Sequence, residues 1–189
     1  MRIDAKLNIV IEVETADGSV FVHSTPLSRD VFERYFLVIG QTFAELVGKG
    51  LSLLSGPRVA ALLLKDVAQR GRVWDGPGGV ANGLMAEVRR LSNVIMPGPA
   101  GWRTVPLQDA IDKQLLSEDD IAEVEGLIVF FICVSAMSRK SEIAPVLEQM
   151  ALWGVRTTSL NCTEWLGFWR TSTETATGTA AASTASVPS

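Results

Sequence analysis

Histidine occurs once in this 189-residue chain, at His23, and cysteine twice, at Cys133 and Cys162. Two cysteines so far apart make neither a disulfide framework nor a zinc signature, and they are expected to be free thiols in a reducing compartment. A lone histidine in a predicted strand, with no serine, cysteine or carboxylate assignable beside it, gives no acid–base pair, so a hydrogen-bonded structural role is expected for His23. Clustered lysine and arginine are also missing: 17 basic residues face 21 acidic ones, for a formal charge of −4. That balance argues against nucleic acid as a partner, because phosphate binding needs a basic stripe; Arg89-Arg90 and Arg139-Lys140 are small spots on solvated helix ends. The longest apolar run, Leu127 to Val134, is too short for a bilayer span of about 20 residues, so no membrane partner is expected. The stretch Met1 to Lys6 lacks the apolar core of a secretory leader. No cofactor or metal is implied.

Hydrophobic residues are abundant, at 47% of the chain, and most fall at helical spacing. The spacing predicts a mainly α fold: a helical bundle-like domain over 1–170, with a β-hairpin over about 6–24, helices over about 28–169, and a disordered tail over 171–189. Leu7 to Val13 and Val20 to His23 alternate around the turn signal Ala16-Asp17-Gly18. Ser28 is placed to cap a helix to about Val47, with Gly48 and Gly50 as stops. A second helix is expected over Arg58 to Gln69, ended by Gly71. A third is expected over Val80 to Asn93, with Leu84, Val88, Leu91 and Ile95 as its inner stripe. The stretch Met96 to Trp102 is expected to be irregular. A short helix over Leu107 to Leu115 is followed by a long one capped by Ser117, running from Glu118 to about Met137. Ser141 is placed to cap another helix ending near Trp153-Gly154, and Asn161 or Thr163 a last short one. The Ser/Thr/Ala-rich tail cannot bury enough apolar surface to offset its ordering entropy.

Candidate chemistry is thin. Glu118, Asp119, Asp120, Glu123 and Glu125 are best explained as a helix N-terminus favouring negative charge, although Asp120 and Glu123 share a face and are the pair a carboxylate enzyme would use. Trp74-Asp75-Gly76-Pro77-Gly78-Gly79 lacks the arrangement of a phosphate cradle and is expected to be a tight loop that presents Trp74. The candidate protein-binding residues are therefore aromatic. Phe32, Phe36 and Phe43 lie on the wide apolar arc of the first long helix, which either sits centrally in the core or exposes a binding stripe, and Trp74, Trp165, Phe168 and Trp169 complete the set, a core role being the alternative for the last three.

Several strings resemble the tail assembly chaperones of long-tailed, siphovirus-like bacteriophages. They are Lys6-Leu7-Asn8-Ile9-Val10, His23 to Ser28 leading into Val31 to Phe36, Gly56-Pro57-Arg58-Val59-Ala60-Ala61, Trp74-Asp75-Gly76-Pro77, Gly83 to Leu91, and Thr158 to Glu164. The similarity covers about 3–169. It implies a non-enzymatic protein that coats the apolar helical tape-measure protein before the tail tube polymerises. The major tail protein is a further partner, and the chaperone itself can homo-oligomerise. Such a protein works in the host cell cytoplasm and is absent from the mature virion. The family carries no catalytic residues to transfer. The alternatives are a structural virion component, such as a tail-completion or head–tail joining protein whose hairpin extends a neighbour's sheet, and a small enzyme using Asp120 and Glu123.

Overall fold

A computed structural model describes residues 8–15, 18–51, 55–99, 101–138, 143, 145, 146, 148 and 150–167. The chain is a mixed α/β protein, which corrects the expectation of a mainly α, bundle-like domain. It is built on a five-stranded antiparallel sheet in the order β4-β3-β2-β1-β5. The expected tail over 171–189 lies outside the described residues.

β1 (Asn8–Thr15) and β2 (Gly18–Ser24) pair from Ile9↔Ser24 to Thr15↔Gly18, with Gly18 at φ +115°, a backbone region that glycine enters without steric cost. α1 (Arg29–Gly48) follows, and the Ser28 hydroxyl accepts from Val31 N. α2 spans Gly56–Arg70, with Pro57 in its first turn. A single π-helical turn, Ala81–Met85, leads into α3 (Ala86–Arg90).

The chain then departs from expectation. β3 (Ser92–Gly98) and β4 (Gly101–Pro106) form a hairpin where the end of a third helix and an irregular stretch were expected. Leu84, Val88, Leu91 and Ile95 fit a helical stripe, but Ser92, Val94 and Met96 alternate with Asn93, Ile95 and Pro97 across two faces of a sheet. A short apolar run such as Val94-Ile95-Met96 satisfies both periods. Pro97 is tolerated because β2 pairs only with residues 92–95, so the proline's missing N–H lies beyond that ladder.

α4 (Leu107–Asp112) precedes α5 (Glu118–Met137), which opens with a reciprocal capping box between Ser117 and Asp120. β5 (Val155–Thr158), also not anticipated, starts at Gly154 (φ +72°) and pairs with β1 from Ile11↔Val155 to Asn8↔Thr158. A C-terminal helix over 162–167 closes the described chain. Asn161 caps it, its Oδ1 accepting from Glu164 N at 3.0 Å.

The alternation of the strands assigns the two faces of the sheet. Ile9, Ile11, Val13, Val20, Val22, Val94 and Val155 join the main core with α1, α2, α4 and α5. α5 is buried almost all round from Val124 to Val134, because it packs against α1, α2 and β1 at once. This explains its lack of an amphipathic stripe. α2 and α5 cross at two glycines, Gly56 against Phe130 and Gly126 against the Pro57 carbonyl. The other face carries a small core of Val10, Phe21 and Ile95, covered by Trp102, Cys162, Trp165 and Leu166. Among the described residues, no helix is long and apolar enough to cross a membrane.

Candidate functional site

α1 places its side chains in two sets. Tyr35, Ile39, Thr42 and Leu46 point into the core. Thr42 satisfies its buried hydroxyl by donating to Val38 O at 2.8 Å, and Tyr35 OH donates to Gly78 O at 3.1 Å, tying α1 to the glycine-rich loop. Of the remaining apolar residues, Val31, Phe32, Val38 and Phe43 are half-buried against the core, whereas Phe36 is 45% exposed and Leu37 74%. Phe32 and Phe36 stack edge to face with ring centres 5.8 Å apart, a favoured aromatic geometry.

Beside them runs an apolar groove of about 300 Å³, lined by Pro26, Leu27, Phe32, Phe131, Ile132 and Ala136 among others. One wall is the N-terminal turn of α1 and the segment before it; the other is the C-terminal half of α5. Gly40 keeps α1 close to the end of α5, with Met137 Cε 3.6 Å from the position a β-carbon would take. Charged pairs border α1 at its ends: Arg29–Glu33 at 2.6 Å, and Glu45 with Lys49 at 3.0 Å and with Arg70. The Arg70 guanidinium, seconded by Lys49, holds the Glu45 carboxyl below its usual range.

The aromatic residues singled out in the sequence do not converge. Phe32 and Phe36 belong to the groove and its rim. Phe43 is half-buried against the main core, as is Trp74, which carries Lys65 Nζ 5.7 Å above its ring. The glycine-rich loop holds Trp74 in place through Val80 N→Val73 O (2.9 Å) and Ala81 N→Trp74 O (3.0 Å), so it packs where the sequence suggested presentation. Trp165 lies on the opposite side of the sheet, its ring 5.3 Å from that of Phe21. Phe168 and Trp169 lie outside the described residues. The sequence reading missed Leu37 and the groove residues Pro26, Leu27 and Ile132. Leu27 stands directly before the Ser28 cap, where an apolar residue commonly packs against the first turns, and that was the available signal.

Two of the five acidic residues are committed. Asp120 Oδ2 accepts from Ser117 N (3.1 Å) and Ser117 Oγ (2.7 Å), and Glu125 pairs with Arg89 at 2.6 Å. Asp120 and Glu123 border a cleft of about 350 Å³ with Glu12, Val13, Glu14 and Gly154. Among the described residues, no three His, Cys, Asp or Glu side chains are set to hold a metal ion. Burial pushes the Cys133 thiol up to about 12, and also raises Cys162 against the opposing effect of a hydrogen bond with Thr104; neither is a ready nucleophile.

Fold and surface together define a layered α/β protein with an aromatic groove between two helices. No family model, curated protein or solved structure matches the chain.

Proposed function

We propose that this protein is a non-enzymatic binding protein of the phage tail assembly chaperone kind, holding an apolar helical segment of a tape-measure protein in the groove between α1 and α5. The observation that carries the reading is the exposure of Phe36, whose ring packs on that of Phe32, at the groove formed by Leu27, Phe32, Phe131 and Ile132, with Leu37 exposed on the same helix. An aromatic pair on the rim of a concave apolar wall, with the Phe36 ring exposed, suits helix-in-groove recognition, in which anchors at i, i+3 or i+4 and i+7 insert into the groove. The charged pairs at both ends of α1 keep such a surface soluble when empty.

The structural-component alternative relied on the N-terminal hairpin extending a neighbouring sheet. β1 and β2 are interior strands, with β5 and β3 already on their outer sides. Strand addition would have to use the short edges β4 or β5.

Co-expression with a tape-measure protein of a long-tailed phage tests the reading. The native chain should keep that protein soluble and co-purify with it. Phe36→Glu combined with Leu37→Glu should abolish both effects while the variant remains folded. Unchanged client solubility with the double variant would refute the surface. Mass spectrometry of purified virions that detected the chain at stoichiometric levels would favour the structural component.

A further inference from the structure

The second face of the sheet is closed by very little. Among the described residues, its buried hydrophobic core is Val10, Phe21 and Ile95, with His23 and Asn8 buried beside them. What covers them, besides Trp102 of β4, is the segment 159–167, of which 162–167 are helical. Leu160 is one point at which that segment is tied to the sheet, and the contact of Cys162 with Thr104 is another. The carbonyl of Leu160 accepts from Asn8 Nδ2 at 2.6 Å and from His23 Nε2 at 3.0 Å. Because a carbonyl can only accept, Nε2 carries a proton, and in the neutral ring that leaves Nδ1 bare. Its Nδ1 is buried with no hydrogen-bond partner among the described residues, and the whole side chain is solvent-inaccessible. Beyond Leu160, Trp165 packs on Phe21 and Leu166 on the same small core.

We propose that residues 159–167 form a strap that neutral His23 holds closed over the second face of the sheet, and that protonation of His23 releases it, uncovering Val10, Phe21 and Ile95. A second proton has to go on Nδ1, which is buried and makes no hydrogen bond in the closed arrangement. Opening the strap exposes the ring and removes that penalty. β5 remains paired with β1, so the hinge falls at Thr158 and Ser159, where Leu160 N donates to Thr158 Oγ1 at 3.1 Å.

Few charges face the ring. Along β1 on the same side stand Glu12 and Glu14, and from β5 Arg156, which pairs with Glu12 at 3.7 Å. β3 contributes Asn93, and β4 presents Trp102, Thr104 and Pro106, none of them ionised. The strap itself carries Cys162, a raised thiol, and Glu164, which is engaged with Asn161 at the cap of its own helix. With no carboxylate among the described residues in contact, burial dominates and lowers the proton affinity of His23 below its ordinary 6.5, while hydrogen bonds to backbone carbonyls oppose this.

The sign follows from linkage. The open form binds the proton near 6.5 and the closed form only at lower pH, so closure is complete above 6.5 and weakens as pH falls below it. The limit is about tenfold per pH unit. The proposal is independent of the client-binding reading, since it needs neither α1 nor a partner.

Hydrogen exchange on the full chain tests it, expressed as protection factors so that the intrinsic pH dependence divides out. Between pH 7.5 and 5.5, protection over 160–167 should fall by up to about tenfold in the native chain, while amides of β1 and β2 keep theirs. His23→Gln retains an amide donor for Leu160 O but cannot titrate, and its protection should not change with pH. Flat protection in the native chain, an equal fall in His23→Gln, or a parallel loss in β1 and β2 would each overturn the proposal.

Should His23→Gln fail to fold, the native chain still decides the matter, because its only histidine gives a single ring resonance by NMR. His23 should titrate below 6.5, and the Trp165 indole signal should shift with the same midpoint. Titration at or above 6.5, or a Trp165 signal that does not follow, would sink it.

Discussion

Gly126→Ala should destabilise the protein, and Gly40→Ala should stabilise it, although both replace a glycine inside a 20-residue helix. Replacing an interior helical glycine by alanine contributes about 0.5–1 kcal/mol through backbone entropy alone. At Gly40 nothing opposes that gain: the added methyl would meet only Met137 Cε, at an ordinary 3.6 Å, and methionine ends are adaptable. At Gly126 the methyl would fall well inside contact distance of the Pro57 carbonyl oxygen, with Arg58 O at 3.6 Å beyond it. That oxygen is backbone in the first turn of α2, so it cannot rotate aside; α2 as a whole must move. Overpacking of this kind costs about 1–3 kcal/mol, and more when backbone must shift. The net effect at Gly126 is a loss of about 1–2 kcal/mol, or roughly 2–8 °C in Tm for a chain of this size. Urea unfolding monitored by circular dichroism measures both variants. Equal gains in the two would refute the close crossing of α2 and α5, and with it the placement of Phe131 and Ile132 as a groove wall.

Ser117→Ala removes the hydroxyl half of the capping box, leaving the backbone N–H of residue 117 on Asp120 Oδ2, and should cost about 1 kcal/mol of stability without altering client binding, as read from the same unfolding curves. The two thiols should react separately with a disulfide reagent at pH 8. Cys162, half-buried, should be modified slowly in the native protein, and Cys133, fully buried with its thiol pushed up to about 12, only after denaturant is added. Peptide mapping of the labelled protein assigns each, and native-state labelling of Cys133 would contradict its burial.

The helices were legible because their ends are marked. Ser28 and Ser117 stand as caps before apolar runs, and Gly71 follows α2. The strands β3, β4 and β5 were not. In β3 and β4, Pro97, Gly98, Pro99 and Gly101 suggest breakage, yet they sit where a hairpin turn and the end of a ladder tolerate them. Trp102-Arg103-Thr104-Val105 does alternate, with Trp102 on one face and Val105 on the other. The alternation was masked by the prolines before it. β5 has only four residues, fewer than periodicity can resolve, and it exists because β1 offers Asn8 to Ile11 as a partner. Strand pairing is non-local, so nothing near Val155 in the sequence announces it.

The same limit explains why the aromatic residues were grouped together. Counted along the chain, Phe36 and Trp165 look alike, but the sheet separates them. Trp165 closes a small core that otherwise faces water, whereas Phe36 extends from a core already sealed by Tyr35 and Ile39. Charging each should therefore produce opposite phenotypes. Trp165→Glu puts a carboxylate against Phe21 and should cost about 1–3 kcal/mol of stability, with protection over 160–167 lost and client binding kept. Phe36→Glu should change stability by no more than about 0.5 kcal/mol while weakening client binding by tenfold or more, since interface aromatics of this kind carry at least ~1.4 kcal/mol. Unfolding curves and client co-purification on the two variants give four readings. If Trp165→Glu abolished binding with stability intact, the client would have to sit on the sheet rather than in the groove, and the assignment of the two faces would be reversed.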